Sequence, residues 1–142
     1  MEKQTQVSEA ETEALRQTYA ALNRNDIDAA VAALDTQVDW IEPAEYTGGA
    51  TVHGKDAVKA HLLRARATWA EGSCEPERFV VAGDQIIVLI HVHVRLKNET
   101  AWRDGRHAAV FTFSNGKATE MRIFDDTREA FAWCGLEAGE AD

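Results

Sequence analysis

Apolar residues change their spacing along this chain near residue 70, and the change divides it into a helical part and a strand part. Leu15, Tyr19 and Leu22 recur at helical intervals, giving one apolar face. Ser8 with Glu11 three positions on has the form of a capping box, so a helix is predicted over 8–24. Asn25-Asp26 breaks and re-caps the chain, and Ile27, Val31 and Leu34 mark a short second helix over 27–34. A strand follows over 38–41, and Pro43 ends its pairing because proline has no N–H to donate. Residues 46–52, with Gly48-Gly49, read as a loop able to close over whatever lies beneath it. Val58, Leu62, Ala65 and Trp69 form the inner stripe of a third helix over 55–70, and His61 falls on the same side.

The pattern then turns to segments rich in Val, Ile, Phe and Thr, at 77–81, 85–96, 106–113 and 117–124. Gly83-Asp84, Asp104-Gly105 and Asn115-Gly116 punctuate them as turns. Asn-Gly between apolar strands is the strongest hairpin signal of the three. A last helical turn begins near Asp126, with Glu129 three residues later, and ends at Gly135. Residues 1–7 read as a frayed terminus, 8–136 as one domain and 137–142 as an acidic disordered tail. Helices first and an antiparallel meander after them predict an α+β fold with the helices on one sheet face.

Composition narrows the function classes. The 142 residues suit one core and are too few for two. Net charge is -9, from 24 acidic residues against 15 Lys and Arg. A binder of phosphate backbones needs a basic face, and Arg64-Ala65-Arg66 reads as a solvated helix edge. The longest apolar run, 86–94, contains two histidines and falls far short of the roughly 20 residues a spanning helix needs. Residues 1–6 lack the apolar core of a secretory signal, so a cytoplasmic location is expected, with no membrane and no nucleic-acid partner. Cys74 and Cys134 have no metal-type spacing and are expected as reduced, packed thiols, with a disulfide or a reactive thiol as the alternatives.

The run from Asp26 to Pro43, the His53-Gly54 turn and Gly116-Lys117 together resemble the ketosteroid isomerase and polyketide cyclase (SnoaL-like) branch of the nuclear transport factor 2-like proteins. The resemblance covers roughly residues 15 to 135. It implies a cone-shaped, barrel-like fold in which a curved antiparallel sheet packs on three helices around a central pocket. In the isomerases the acid just before the proline is the general base, which makes Glu42 the candidate here. The family's two oxyanion donors fall on Thr18 and Ala109, and the cyclases' histidine and aspartate fall on Ala109 and Ile123. Steroid isomerisation and aldol cyclisation by those routes are therefore not expected.

What remains is Glu42, His61, His107 and Asp125, expected around a pocket lined by Trp40, Tyr19, Leu22, Val88, Ile90, Phe111 and Met121. Removing a carboxylate from water raises its affinity for protons, and a nearby histidine supplies the complementary proton. Each residue also has a plainer reading. Glu42 would ion-pair with Lys55 or an arginine, His61 would be a satisfied core histidine, His107 would lie idle at the rim and Asp125 would share helix capping with Asp126. His53 reads as a turn residue. His91 and His93 fall on the opposite sheet face, where an interface is a better reading than a two-ligand metal site. The expectation is a cofactor-independent, metal-free acid–base enzyme acting on a small hydrophobic, oxygenated molecule, homodimeric through the outer sheet face. Its alternative is a protein that holds such a molecule without transforming it.

Overall fold

A computed structural model describes residues 9–43 and 50–137. The expected frayed terminus, the Ser8 cap, most of the loop at 46–52 and nearly all of the acidic tail lie outside the described residues. Among those described, four helices and six strands run α1 Glu9–Asn23, α2 Ile27–Ala30, β1 Leu34–Glu42, β2 Ala50–His53, α3 Lys55–Ala67, β3 Trp69–Ala82, β4 Gln85–Leu96, β5 Arg103–Ser114, β6 Lys117–Phe124 and α4 Thr127–Trp133.

α1 forms where the apolar spacing predicts it, but α3 stops at Ala67: Trp69, expected on its inner stripe, begins β3, Ala65 is exposed, and Val58 is the buried residue of that stripe. In α1, Leu15, Thr18 and Tyr19 are buried, and Glu13, Arg16 and Gln17 bond to one another on the wet side. Asn25 then enters the left-handed region at φ 64, which asparagine tolerates better than most residues. That turn lets the Asp26 carboxylate cap α2 by accepting from Ala29 N at 3.2 Å. α2 is shorter than predicted: Leu34 already belongs to β1, where it is buried with Val38 and Trp40.

One curved, mixed sheet carries the order β2-β1-β6-β5-β4-β3. The last four strands form the expected antiparallel meander, and β1 joins it by a parallel pairing with β6. Asn115 and Gly116, at φ 55 and 80, make the β5–β6 turn, the combination a tight hairpin demands. Asp104-Gly105 is no turn. It lies within β5, opposite His93 and Val92, and the Asp104 carboxylate is tied to both His91 and His93 across the ladder.

β3 begins at Trp69, well before the predicted 77, and carries Gly72 and Pro76 within it. It is an edge strand, where a missing N–H is tolerated; a register shift between Pro76 and Arg78 follows the proline, while Gly72 stays in register opposite Val94. Asn23 serves part of this edge: its side chain donates to Cys74 O at 2.9 Å and accepts from Cys74 N at 2.8 Å. Arg66 donates to the α1 carbonyls of Leu22 and Asn23, both at 2.9 Å, satisfying acceptors that a helix end leaves without partners. The ends of α1 and α3 are thereby locked onto β3.

Two apolar clusters result. The inner one joins Leu15, Tyr19, Ile27, Val31 and Val58 from the helices to Val38, Trp40, Ile86, Val88, Phe111 and Met121 from the sheet. On the opposite face Phe131 and Ala130 of α4 cover Ile87, Ala108 and Val110. The helices are thus not all on one face, and α4 takes part of the outer surface.

Candidate functional site

β1 delivers the central group. Its alternation points Trp40 and Glu42 to the same side, and Pro43 follows at once. Trp40 is held by an edge-on contact with Phe111, ring centroids 6.4 Å apart, and Tyr19 meets Phe111 the same way at 6.5 Å. So fixed, the indole Nε1–H donates to Glu42 Oε2 at 2.9 Å. His61, on the inner side of α3, brings Nε2 to 3.0 Å from the same oxygen. The Glu42 side chain is only 7% exposed. Its partner is His61, not Lys55.

These groups border one cavity of about 870 Å³, within the usual range for small-molecule sites. Glu42, His61, His107 and Asp125 all line it, as do Tyr19, Leu22, Trp40, Phe111 and Met121. Val88 and Ile90 do not; both are packed in the inner core. On β4 the lining is Val92, Val94 and Leu96 instead. Strand periodicity places a residue on a face but says nothing about how far along that face the hollow begins. Arg64, Arg66, Trp69, Arg103 and Arg106 also line the cavity, and the apolar pattern marks none of the four arginines as a site residue. Arg64, three residues beyond His61 on the same helix, was the available signal.

His107 shares its face of β5 with Ala109 and Phe111 and is 7% exposed. Burial pushes its imidazole below the ordinary 6.5, and the charges of Asp125 and Glu42 draw it only partly back. The unfolded chain accepts a proton near 6.5 that the folded chain resists, so stability falls as pH drops below that value. This single proton contributes a slope of at most about 1.4 kcal/mol per pH unit. Urea titrations across that range check it, and His107→Gln is expected to remove this component of the slope. Asp125 stands exposed at the rim. It does not cap α4; Asp126 does, accepting from Arg128 N at 2.9 Å.

The remaining candidates lie elsewhere. His53 bonds Asp39 at 2.7 Å and Gln37 at 3.2 Å on β1. His91 and His93 share Asp104 Oδ1 at 2.8 and 2.9 Å, and their bonds hold the Asp104 carboxyl below its usual range. His93 also stacks on Trp102, centroids 4.4 Å apart. Among the described residues no group of three or more His, Cys, Asp or Glu side chains is arranged to hold a metal ion. Cys74 and Cys134 are unbridged, and burial pushes their thiols up to about 12 and about 11. No helix of the described residues is long and apolar enough to cross a membrane.

A curved sheet wrapped over helices around a cavity defines the class of nuclear transport factor 2-like proteins. Within that class the chain belongs to the SnoaL-like domain family, which it matches over residues 15–121. Among curated proteins none matches it. It is similar in structure to a nuclear transport factor 2-like protein of unknown function from Burkholderia pseudomallei K96243, at 29% identity and a TM-score of 0.74 over 89% of this chain and 97% of that one. TerC, co-crystallised with polyporic acid, is 22% identical with a TM-score of 0.72 over 89% and 98%. A protein of ketosteroid isomerase-like fold from Catenulispora acidiphila DSM 44928, in complex with trimethylamine, is 16% identical with a TM-score of 0.72 over 89% and 95%.

Proposed function

We propose that this protein is a cofactor-independent acid–base enzyme acting on a small, largely apolar, oxygenated molecule. The observation that carries this reading is the Glu42 carboxylate, almost wholly removed from water and bonded through one oxygen to Trp40 and His61. With Oε2 engaged, Oε1 is the atom that takes a proton from carbon or oxygen of the substrate. His61 positions the carboxylate and, in the tautomer with hydrogen on Nε2, donates to Oε2.

The developing negative charge needs a donor on the far side. Neither Thr18 nor Ala109 supplies one: the Thr18 hydroxyl donates to Ala14 O at 3.1 Å, and Ala109 has no donor in its side chain. His107 lies two residues before Ala109 on the same strand face, about 7 Å away along the strand. Kept neutral by burial, it offers a ring N–H to a substrate oxygen, with Asp125 near enough to bias the ring by its charge. Isomerisation, dehydration, cyclisation and epoxide opening all fit a base and a donor so placed.

Proteins similar in shape include one described as a putative SnoaL-like polyketide cyclase and one of ketosteroid isomerase-like fold. Relatives in shape were crystallised with polyporic acid and with trimethylamine, so small organic molecules are within reach of the architecture. Loss of both family oxyanion donors favours the second reading, a binding protein without turnover.

Incubation with a panel of cyclic ketones, enones and hydroxyketones in D2O separates the two. Base catalysis is expected to place deuterium at acidic carbons, seen by NMR, even where no net reaction follows. Ligands that bind the cavity and acquire no label would favour the binding protein.

A further inference from the structure

We infer that the cavity takes a molecule bearing one anionic group, a carboxylate or an equivalent acid, held at the rim by Arg64 while the apolar body lies inward against Trp40 and Phe111. The inference rests on the cavity reading above and adds the charge of the occupant.

Four arginines border the opening: Arg64, Arg66, Arg103 and Arg106. Two are neutralised within the protein. Arg103 is clasped by both oxygens of Glu99 at 3.0 and 2.7 Å, and Arg106 by both oxygens of Glu77 at 2.9 and 3.2 Å. The other two keep their charge. Arg66 directs its donors to the carbonyls of Leu22 and Asn23 and lies 4.5 Å over the Trp69 ring, with no carboxylate bonded to it among the described residues. Arg64 is exposed and has neither a hydrogen bond nor an ion pair among them. In a chain of net charge -9, two uncompensated guanidinium groups on one helical turn at a cavity opening form a local trap for an anion. The α3 dipole favours cations at this end of the helix, which accounts for arginine there but not for a place on the cavity wall.

Position sorts the two ends of the ligand. Arg64 stands three residues, about 4.5 Å of helix rise, beyond His61, whose ring holds Glu42. An anion pushed inward would meet the Glu42 charge in a site poor in water, where like charges repel strongly. The same anion at the rim gains a charge-assisted bond to a planar guanidinium shaped for carboxylate, while the exposed Asp125 at that rim opposes it only through screening water. The acid therefore stays outside and the apolar end reaches Glu42.

The test pairs two probes of one frame, 8-anilinonaphthalene-1-sulfonate and its uncharged parent N-phenyl-1-naphthylamine, read by fluorescence and by mutual displacement on the full chain. The sulfonate is expected to bind more tightly, to displace the amine and to weaken about tenfold in Arg64→Gln, the size of one lost charge-assisted bond. The amine is expected to bind wild type and variant alike. If both probes bind and the variant treats them as wild type does, the anionic inference is overturned and the acid–base cavity stands. If neither probe enters, the cavity reading fails and takes this inference with it.

Discussion

Replacing Glu42 by glutamine is expected to lower turnover, or deuterium exchange where that is the detectable reaction, by about 10²–10⁴, the usual contribution of a positioned general base. Glutamine has nearly the shape of glutamate and keeps an oxygen to accept from the Trp40 indole, so the wall of the cavity survives. What it lacks is a basic atom to accept the substrate's proton. The variant is also expected to melt at or above the wild-type temperature, because a buried charge is exchanged for a neutral amide. Ligand binding measured beside turnover makes the result decisive. Binding retained with turnover lost identifies the base, whereas turnover retained with the fold intact removes Glu42 from the chemistry.

Gly72→Ala is expected to be the most damaging small substitution in the sheet. Gly72 sits at φ 120, and an added Cβ would run into the carbonyl oxygen of His93 and stand 2.6 Å from Val94 Cα. Both obstacles are backbone of the neighbouring strand, so no side-chain rotation relieves them. Overpacking together with the strain of that φ costs about 3 kcal/mol or more. The damage has a functional direction, since the displaced residues adjoin Cys74, Val92 and Val94 of the cavity wall. Gly83→Ala is the control. It also has positive φ, 63, but nothing lies within 4 Å of its added carbon, so it should cost about 1 kcal/mol. Urea midpoints of the two variants check the contrast, and near-equal midpoints would contradict the close approach at residue 72.

Local rules read well wherever one face of an element meets the core. The α1 stripe, the alternation of β4 and the Asn115-Gly116 turn all follow from periods and dihedral preferences. They read poorly at the sheet edges. β2 has four residues, too few for periodicity, and it forms because β1 offers an open side. The first half of β3 carries Gly72 and Pro76, and the proline is tolerated because an edge strand lacks the second neighbour that its missing N–H would have served. Asp104-Gly105 reads as a turn because its stabilising partners, His91 and His93, are 13 and 11 residues away.

The site divides along the same line. Glu42 stands out by resemblance and His61 by its helical stripe, but their meeting at 3.0 Å spans 19 residues and depends on how α3 crosses β1. Depth is a tertiary property too, which is why Val92 and Val94 line the hollow in place of Val88 and Ile90.

The parallel seam between β1 and β6 has a temporal meaning. The segment bearing Glu42 leaves the ribosome well before the strand that flanks it through Glu120, Met121 and Arg122. Until then β1 has only the short β2 ribbon beside it, and an isolated two-stranded ribbon is marginal in water. Fragments ending before Lys117 would therefore display a carboxylate with no chamber around it. The wall beside Glu42 is therefore complete only once the strand Lys117–Phe124 has paired along this seam.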